Sequence, residues 1–74
     1  MKYTLHEAIE VVLRRNSNRW MNVREIAEEV NQRKLYARRN GSNVDSGDIH
    51  SRVNDHSDLF EKSGVMVRLR QWRS

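Results

Sequence analysis

Apolar residues recur at Leu5, Ala8, Ile9, Val12 and Leu13, three or four positions apart, and trace the stripe of an amphipathic helix. Thr4, three residues ahead of Glu7, supplies a capping box, and Arg14 and Arg15 fall in the last turn, where the helix dipole favours cations. A helix over 5–15 follows, closed by Asn16, Ser17 and Asn18. After a short extended piece at 19–21, a second stripe of Val23, Ile26, Ala27 and Val30 extends to Leu35. It opens with Asn22 three residues ahead of Glu25, and predicts a helix over 23–34. Trp20 is expected to pack back over the first turn of this helix as a core or staple residue, not as a base-stacking one.

Residues 37–43 carry no apolar period and include Asn40-Gly41, so they form a loop. A third helix begins at Asp45 or Ser46, either of which can cap it, and places Ile49, Val53 and His56 on one face. Its propensity is the poorest of the three, with Gly47 near the start and Ser51, Asn54 and Asp55 within it. Beyond His56 the period drops to two. Leu59 and Phe60 enter a strand, Lys62-Ser63-Gly64 makes a turn, and Val65, Val67 and Leu69 alternate with Met66, Arg68 and Arg70. The hairpin has one apolar face and one basic face.

Three helices followed by a hairpin, with the extended piece at 19–21 free to join the sheet, is the order of an α+β winged helix-turn-helix fold. No repeat, low-complexity stretch or linker interrupts it, so residues 1–74 read as a single winged-helix domain. A lone hairpin is marginal in water, so its apolar face needs the helical stripes as a partner. The loop between helices 2 and 3 is longer than the tight three- or four-residue turn of the motif, at little cost in closure entropy.

Composition narrows the chemistry. The chain has no cysteine, hence no disulfide and no thiolate zinc site. It also lacks the roughly 18-residue apolar run of a membrane span and the pattern of a signal peptide, so a soluble, cytoplasmic protein is expected. The net charge of +4 is unevenly placed: residues 1–32 hold five bases and five acids, whereas residues 33–74 hold nine bases and five acids. Arg33, Lys34, Arg38 and Arg39 form one cluster and Arg68, Arg70 and Arg73 another. Two such clusters can converge on one polyanion, because phosphate neutralisation drives much of nucleic-acid affinity.

Catalytic chemistry finds little support. His50 and His56 lie six residues apart and do not share a helix face in the manner of a metal-binding pair, and His56 reads as a partly buried helix-end residue. There is no Gly-rich phosphate loop, no Cys/His pair and no serine elbow. No metal, no cofactor and no enzymatic activity are expected.

Leu5-His6-Glu7-Ala8-Ile9, Arg24-Glu25-Ile26-Ala27, Gly41-Ser42-Asn43-Val44, Ile49-His50-Ser51-Arg52-Val53 and Leu59-Phe60-Glu61-Lys62 occur in that order. The series resembles the HARE-type winged helix over about residues 3–70. The resemblance implies a DNA-binding module of the kind attached to restriction endonucleases, HNH nucleases and chromatin proteins. Double-stranded DNA is then the expected partner, together with a nuclease domain or partner protein. Any nuclease chemistry would sit on a different domain. The chain departs from the family in having no proline near the start of the third helix, where Asp45 and Gly47 stand instead.

In a helix-turn-helix protein the second helix of the motif enters the major groove. Here it would offer Ser46, His50, Ser51, Arg52 and Asn54 to base edges; asparagine pairs with adenine and arginine with guanine through two hydrogen bonds each. Residues 40–67 hold only two bases against five acids, and Asp45, Asp48 and Asp55 lie on or beside this helix, where they repel phosphate. Backbone grip is therefore assigned to the flanks: Arg33, Lys34, Arg38 and Arg39 on one side and Lys62, Arg68 and Arg70 on the other. The competing expectation is a protein-interaction winged helix with incidental arginines. A module for modified bases or single strands would need an aromatic cage, and Tyr3, Trp20, Tyr36, Phe60 and Trp72 are better used in the core.

Overall fold

The computed structural model describes residues 3–71, arranged as α1 (Leu5–Arg15), β1 (Met21–Asn22), α2 (Val23–Gln32), α3 (Ser46–Asp55), β2 (Phe60–Ser63) and β3 (Met66–Leu69). Each helix starts on a reciprocal cap that satisfies amides left over at the first turn. The Thr4 amide donates to Glu7 Oε1 at 2.9 Å and the Glu7 amide to Thr4 Oγ1 at 3.4 Å. In α2 the Arg24 amide donates to Asn22 Oδ1 at 2.8 Å and the Asn22 amide to Glu25 Oε1 at 3.3 Å. In α3 aspartate fills both seats: the Asp48 amide donates to Asp45 Oδ1 at 2.9 Å and the Asp45 amide to Asp48 Oδ2 at 3.1 Å. This box starts α3 without a proline. Gly47 lies against it, since a Cβ there would stand 3.2 Å from Asp45 Oδ1.

α1 and α2 end alike. Asn18 and Ser17 donate to the carbonyls of Leu13 (2.8 Å) and Arg14 (3.2 Å), and Leu35 and Lys34 donate to those of Val30 (3.0 Å) and Asn31 (3.2 Å). Both are Schellman pairs with a left-handed residue just past the cap, Ser17 at φ 57° and Lys34 at φ 51°. Lys34 is therefore outside α2, which stops at Gln32 and not at residue 34 as the stripe predicts. Leu35 turns back and packs, half-buried, against the core.

The sheet order is β1-β3-β2, antiparallel throughout, so the extended piece between α1 and α2 does join the hairpin as a third strand. Register sets the faces. Met21 opposite Val67, and Phe60 opposite Leu69, are buried toward the helices, while Glu61 opposite Arg68 occupies the other face. Ser63 pairs with Met66, which leaves Gly64 and Val65 as a two-residue turn. Gly64 at φ 61° followed by a residue of negative φ is the type II′ pattern that suits hairpin twist. The turn thus lies later than the expected 62–64, and Val65, expected on the apolar face, stands 48% exposed at the wing tip. Its carbonyl accepts from the Val23 amide at 2.9 Å, tying the wing to the start of α2.

One buried cluster joins Ile9, Val12 and Leu13 of α1, Ile26 and Val30 of α2, Ile49 and Val53 of α3, and the inward residues of the sheet. Two asparagines brace it with their carboxamides. Asn18 donates to the Leu69 carbonyl (3.1 Å) and accepts from the Leu69 amide (2.7 Å), in the manner of an extra strand on β3. Asn31 makes the same pair with Val44, at 2.9 and 3.0 Å, and so fixes the chain just before α3. His56, the C-cap of α3, stacks on His6 of α1 with ring centroids 4.2 Å apart.

Trp20 does not take the expected core position. Met21 directly precedes the cap of α2 and is fully buried, as is Ile26 one turn into the helix, so Met21 is the staple. Strand alternation turns Trp20 outward, half-buried, with the Arg68 guanidinium 4.4 Å from its ring centroid.

Candidate nucleic-acid interface

The α2–loop–α3 unit builds the candidate surface. Arg33 caps α2 and is paired with Glu29 at 3.3 Å. Lys34 follows, exposed, in its left-handed conformation. The loop then turns on itself through Gly41 donating to Arg38 O (2.7 Å) and Arg38 donating to Ser42 O (3.2 Å). Arg39 projects from that turn, exposed, with no ion pair among the described residues.

Arg38 behaves differently from its neighbour. Its Nε donates to Asp48 Oδ2 at 3.2 Å, its Nη2 makes a closer contact with the same oxygen, and Nη2 lies 3.5 Å from Asp45 Oδ2. The guanidinium therefore closes over both aspartates of the α3 cap. Burial alone would push the Asp48 carboxyl up, but the Asp45 amide and the Arg38 guanidinium outweigh it and hold it below its usual value near 3.8. Arg38 is correspondingly held more basic by Asp48. Arg52 similarly approaches Asp55 at 4.0 Å. The acids that made α3 look hostile to phosphate are compensated from within the fold.

On α3 itself, Ile49 and Val53 mark the inward direction. At 100° per residue, Ser51 and Asn54 point away from it, and both are exposed. His50 and Arg52 occupy the two flanks, half-buried. Ser46, in the first turn, lies toward the inward side and is also half-buried. The five residues assigned to base edges thus separate into an outward pair, two flanking residues and one near the core side.

The wing divides in the same way. Lys62 pairs across the hairpin with Val67, on the face that packs against the helices, and its Nζ donates to Asn54 Oδ1 at 3.4 Å. It lies at the last turns of α3, while the 33–43 loop lies at the first. Arg68 is on the opposite face, held by Glu61 Oε2 at 3.3 and 3.2 Å and stacked on Trp20. Arg70 spends its guanidinium on the carbonyls of Ser57 (3.2 and 3.0 Å) and Phe60 (3.2 Å). Arg73 and Trp72 lie outside the described residues. Of the expected phosphate contacts, Lys34, Arg39 and Lys62 have no carboxylate partner among the described residues; Arg33, Arg38 and Arg68 have one.

Sequence reasoning missed the two asparagine braces, the Arg38 clasp and the Trp20–Arg68–Glu61 stack. An aspartate at both ends of a four-residue cap, facing an arginine cluster, was the available signal for the clasp. Nothing in the local pattern marks Asn18 or Asn31, because each bonds to backbone 51 or 13 residues away.

No helix among the described residues is long and apolar enough to cross a membrane, and no group of three or more His, Asp or Glu side chains there is placed to hold a metal ion. No curated protein and no solved structure matches the chain. Residues 3–72 match HARE-HTH, a helix-turn-helix domain whose description names ASXL and restriction endonuclease proteins. With three helices, a strand joining α1 to α2 and a β-hairpin wing, the chain belongs to the HARE-HTH family of winged helix-turn-helix domains.

Proposed function

We propose that this domain binds double-stranded DNA, laying α3 against the major groove between two sets of backbone contacts. The observation that carries the reading is the charge arrangement around α3. Lys34 and Arg39 stand at one end and Lys62 at the other, each without a carboxylate partner among the described residues, while Asp45, Asp48 and Asp55 are occupied by Arg38 and Arg52. Ten helical residues span about 15 Å, which suits one crossing of a groove about 12 Å wide. Ser51 and Asn54 face bases, with His50 and Arg52 at the margins and Ser46 in support. Arg33 and Arg38 act first on their own carboxylates, and Arg68 and Arg70 on the outer sheet and the hairpin base.

The restriction endonuclease in the family description supports a targeting role for a nuclease or restriction–modification partner. Affinity then comes mainly from phosphates and discrimination from few side chains. The test is fluorescence anisotropy with a random duplex at two salt concentrations. Each phosphate contact contributes about −0.9 to the slope of log affinity against log salt, so Arg39→Glu and Lys62→Glu should each weaken binding and flatten the slope by about 1. Arg38→Glu is a poorer probe, because it also breaks the cap of α3. Unchanged affinity and slope in both reversals would point to a protein-interaction domain.

A further inference from the structure

We propose that Asn40 is a site of spontaneous deamidation, converting a neutral side chain of the 33–43 loop into a carboxylate. Three features meet there. Asn40 is exposed and is followed by Gly41, at φ 84°, where a Cβ would meet no heavy atom within 4 Å. The approach to the Gly41 nitrogen is therefore free of side-chain bulk. The Asn40 carboxamide is held over the next peptide in an Asx turn, with Oδ1 accepting from the Ser42 amide at 3.0 Å and from Ser42 Oγ at 2.7 Å. Two donors on one carbonyl oxygen polarise the Cγ–Oδ1 bond and face the position where negative charge develops when Cγ is attacked.

The step closes without oxidant or reductant. The Gly41 nitrogen gives its proton to solvent and bonds to Asn40 Cγ, forming a five-membered ring. Oδ1 carries the transient negative charge between the two Ser42 donors. Collapse breaks the Cγ–Nδ2 bond, and Nδ2 leaves as ammonia after taking a proton from water. Water then opens the cyclic imide at either carbonyl, giving aspartate or isoaspartate; one water is consumed and one ammonia released. The hydrogen bond from Gly41 N to Arg38 O, at 2.7 Å, must open first, so opening of this turn gates the reaction.

Residues 33–43 hold four cations and no acid, so the product places a negative charge beside Arg39 and lowers the net charge of +4 by one. A resulting loss of DNA affinity rests on the proposed function; the chemistry does not. The experiment holds the full chain in warm, mildly alkaline buffer and follows it by intact mass and peptide mapping. Conversion is expected at Asn40 well ahead of Asn16, Asn18, Asn22, Asn31, Asn43 and Asn54, with Ser42→Ala slowing it severalfold and leaving the backbone untouched. Conversion at Asn40 no faster than at the other asparagines, or a rate indifferent to Ser42→Ala, overturns the proposal. Asn40→Asp tests the consequence separately: weaker duplex binding supports both readings, whereas unchanged binding alongside rapid conversion leaves the chemistry standing and removes its link to DNA.

Discussion

Replacing Asn31 with alanine removes both hydrogen bonds that hold Val44 at the entrance to α3. A single intramolecular hydrogen bond contributes about 1 kcal/mol net, and a polar group left without a partner in a buried place costs about 1–3 kcal/mol. Val44 is buried but Asn31 only partly so, which lets water recover part of the loss. The expected destabilisation is therefore about 2–3 kcal/mol. A 74-residue chain has roughly 4–11 kcal/mol in total, so the variant should remain folded. With a urea dependence of about 1 kcal/mol per molar for so small a domain, the midpoint should fall by roughly 2–3 M, read from tryptophan fluorescence. Asn31→Asp separates the two bonds: the carboxylate still accepts from the Val44 amide but sets a second lone-pair oxygen against the Val44 carbonyl. It should be destabilised at neutral pH and recover, relative to the parent at the same pH, as protonation restores a donor below about pH 4. An alanine variant within about 0.5 kcal/mol of the parent would refute the reasoning, because that is the range of an ordinary surface substitution.

Lys34→Gly should stabilise the fold by about 1 kcal/mol, since glycine enters the left-handed region without the Cβ penalty, yet weaken duplex binding; a thermal melt beside an anisotropy titration checks the opposite signs. Asp45→Ala should cost about 1 kcal/mol through loss of the α3 N-cap, measured by urea unfolding. Because the folded Asp48 carboxyl is held below its usual value near 3.8, its stabilising effect is complete above that value and is lost as pH falls through the lower, folded one. Unfolding midpoints followed from about pH 5 to 2 should therefore decline less steeply in Asp48→Asn than in the parent, and equal slopes would contradict the Arg38 clasp.

The parts of the fold that depend on neighbours three or four residues apart were open to reading in the sequence. α1 matched its predicted bounds because Thr4, Glu7 and the apolar stripe all act within one helix. α3 started at a predicted cap although its propensity is poor, since Asp45 and Asp48 supply a complete box. The misreadings share a cause. Lys34 continues the helical pattern by type, and only the Schellman bonds to Val30 and Asn31 reveal that the chain has already turned. Val65 continues the strand alternation, but Gly64 sets a two-residue turn that removes it from the ladder. Trp20 and Met21 are both apolar, and the register of β1 against β3 decides which of them points inward. The charge clusters were visible as composition, but their division between free cations and internally paired ones depends on contacts such as Arg38 with Asp48 and Arg68 with Glu61, which no local spacing encodes.

The most direct test is a map of backbone amide chemical shifts as a short duplex is titrated into the isotopically labelled protein. The largest changes should fall on Arg39, Ser51, Asn54 and Lys62, on the side of the molecule that α3 presents. Trp20, Glu61 and Arg68 on the outer sheet should stay near their starting positions. Changes centred on that outer sheet, with α3 and the 33–43 loop unmoved, would contradict the assignment of α3 as the helix that meets DNA.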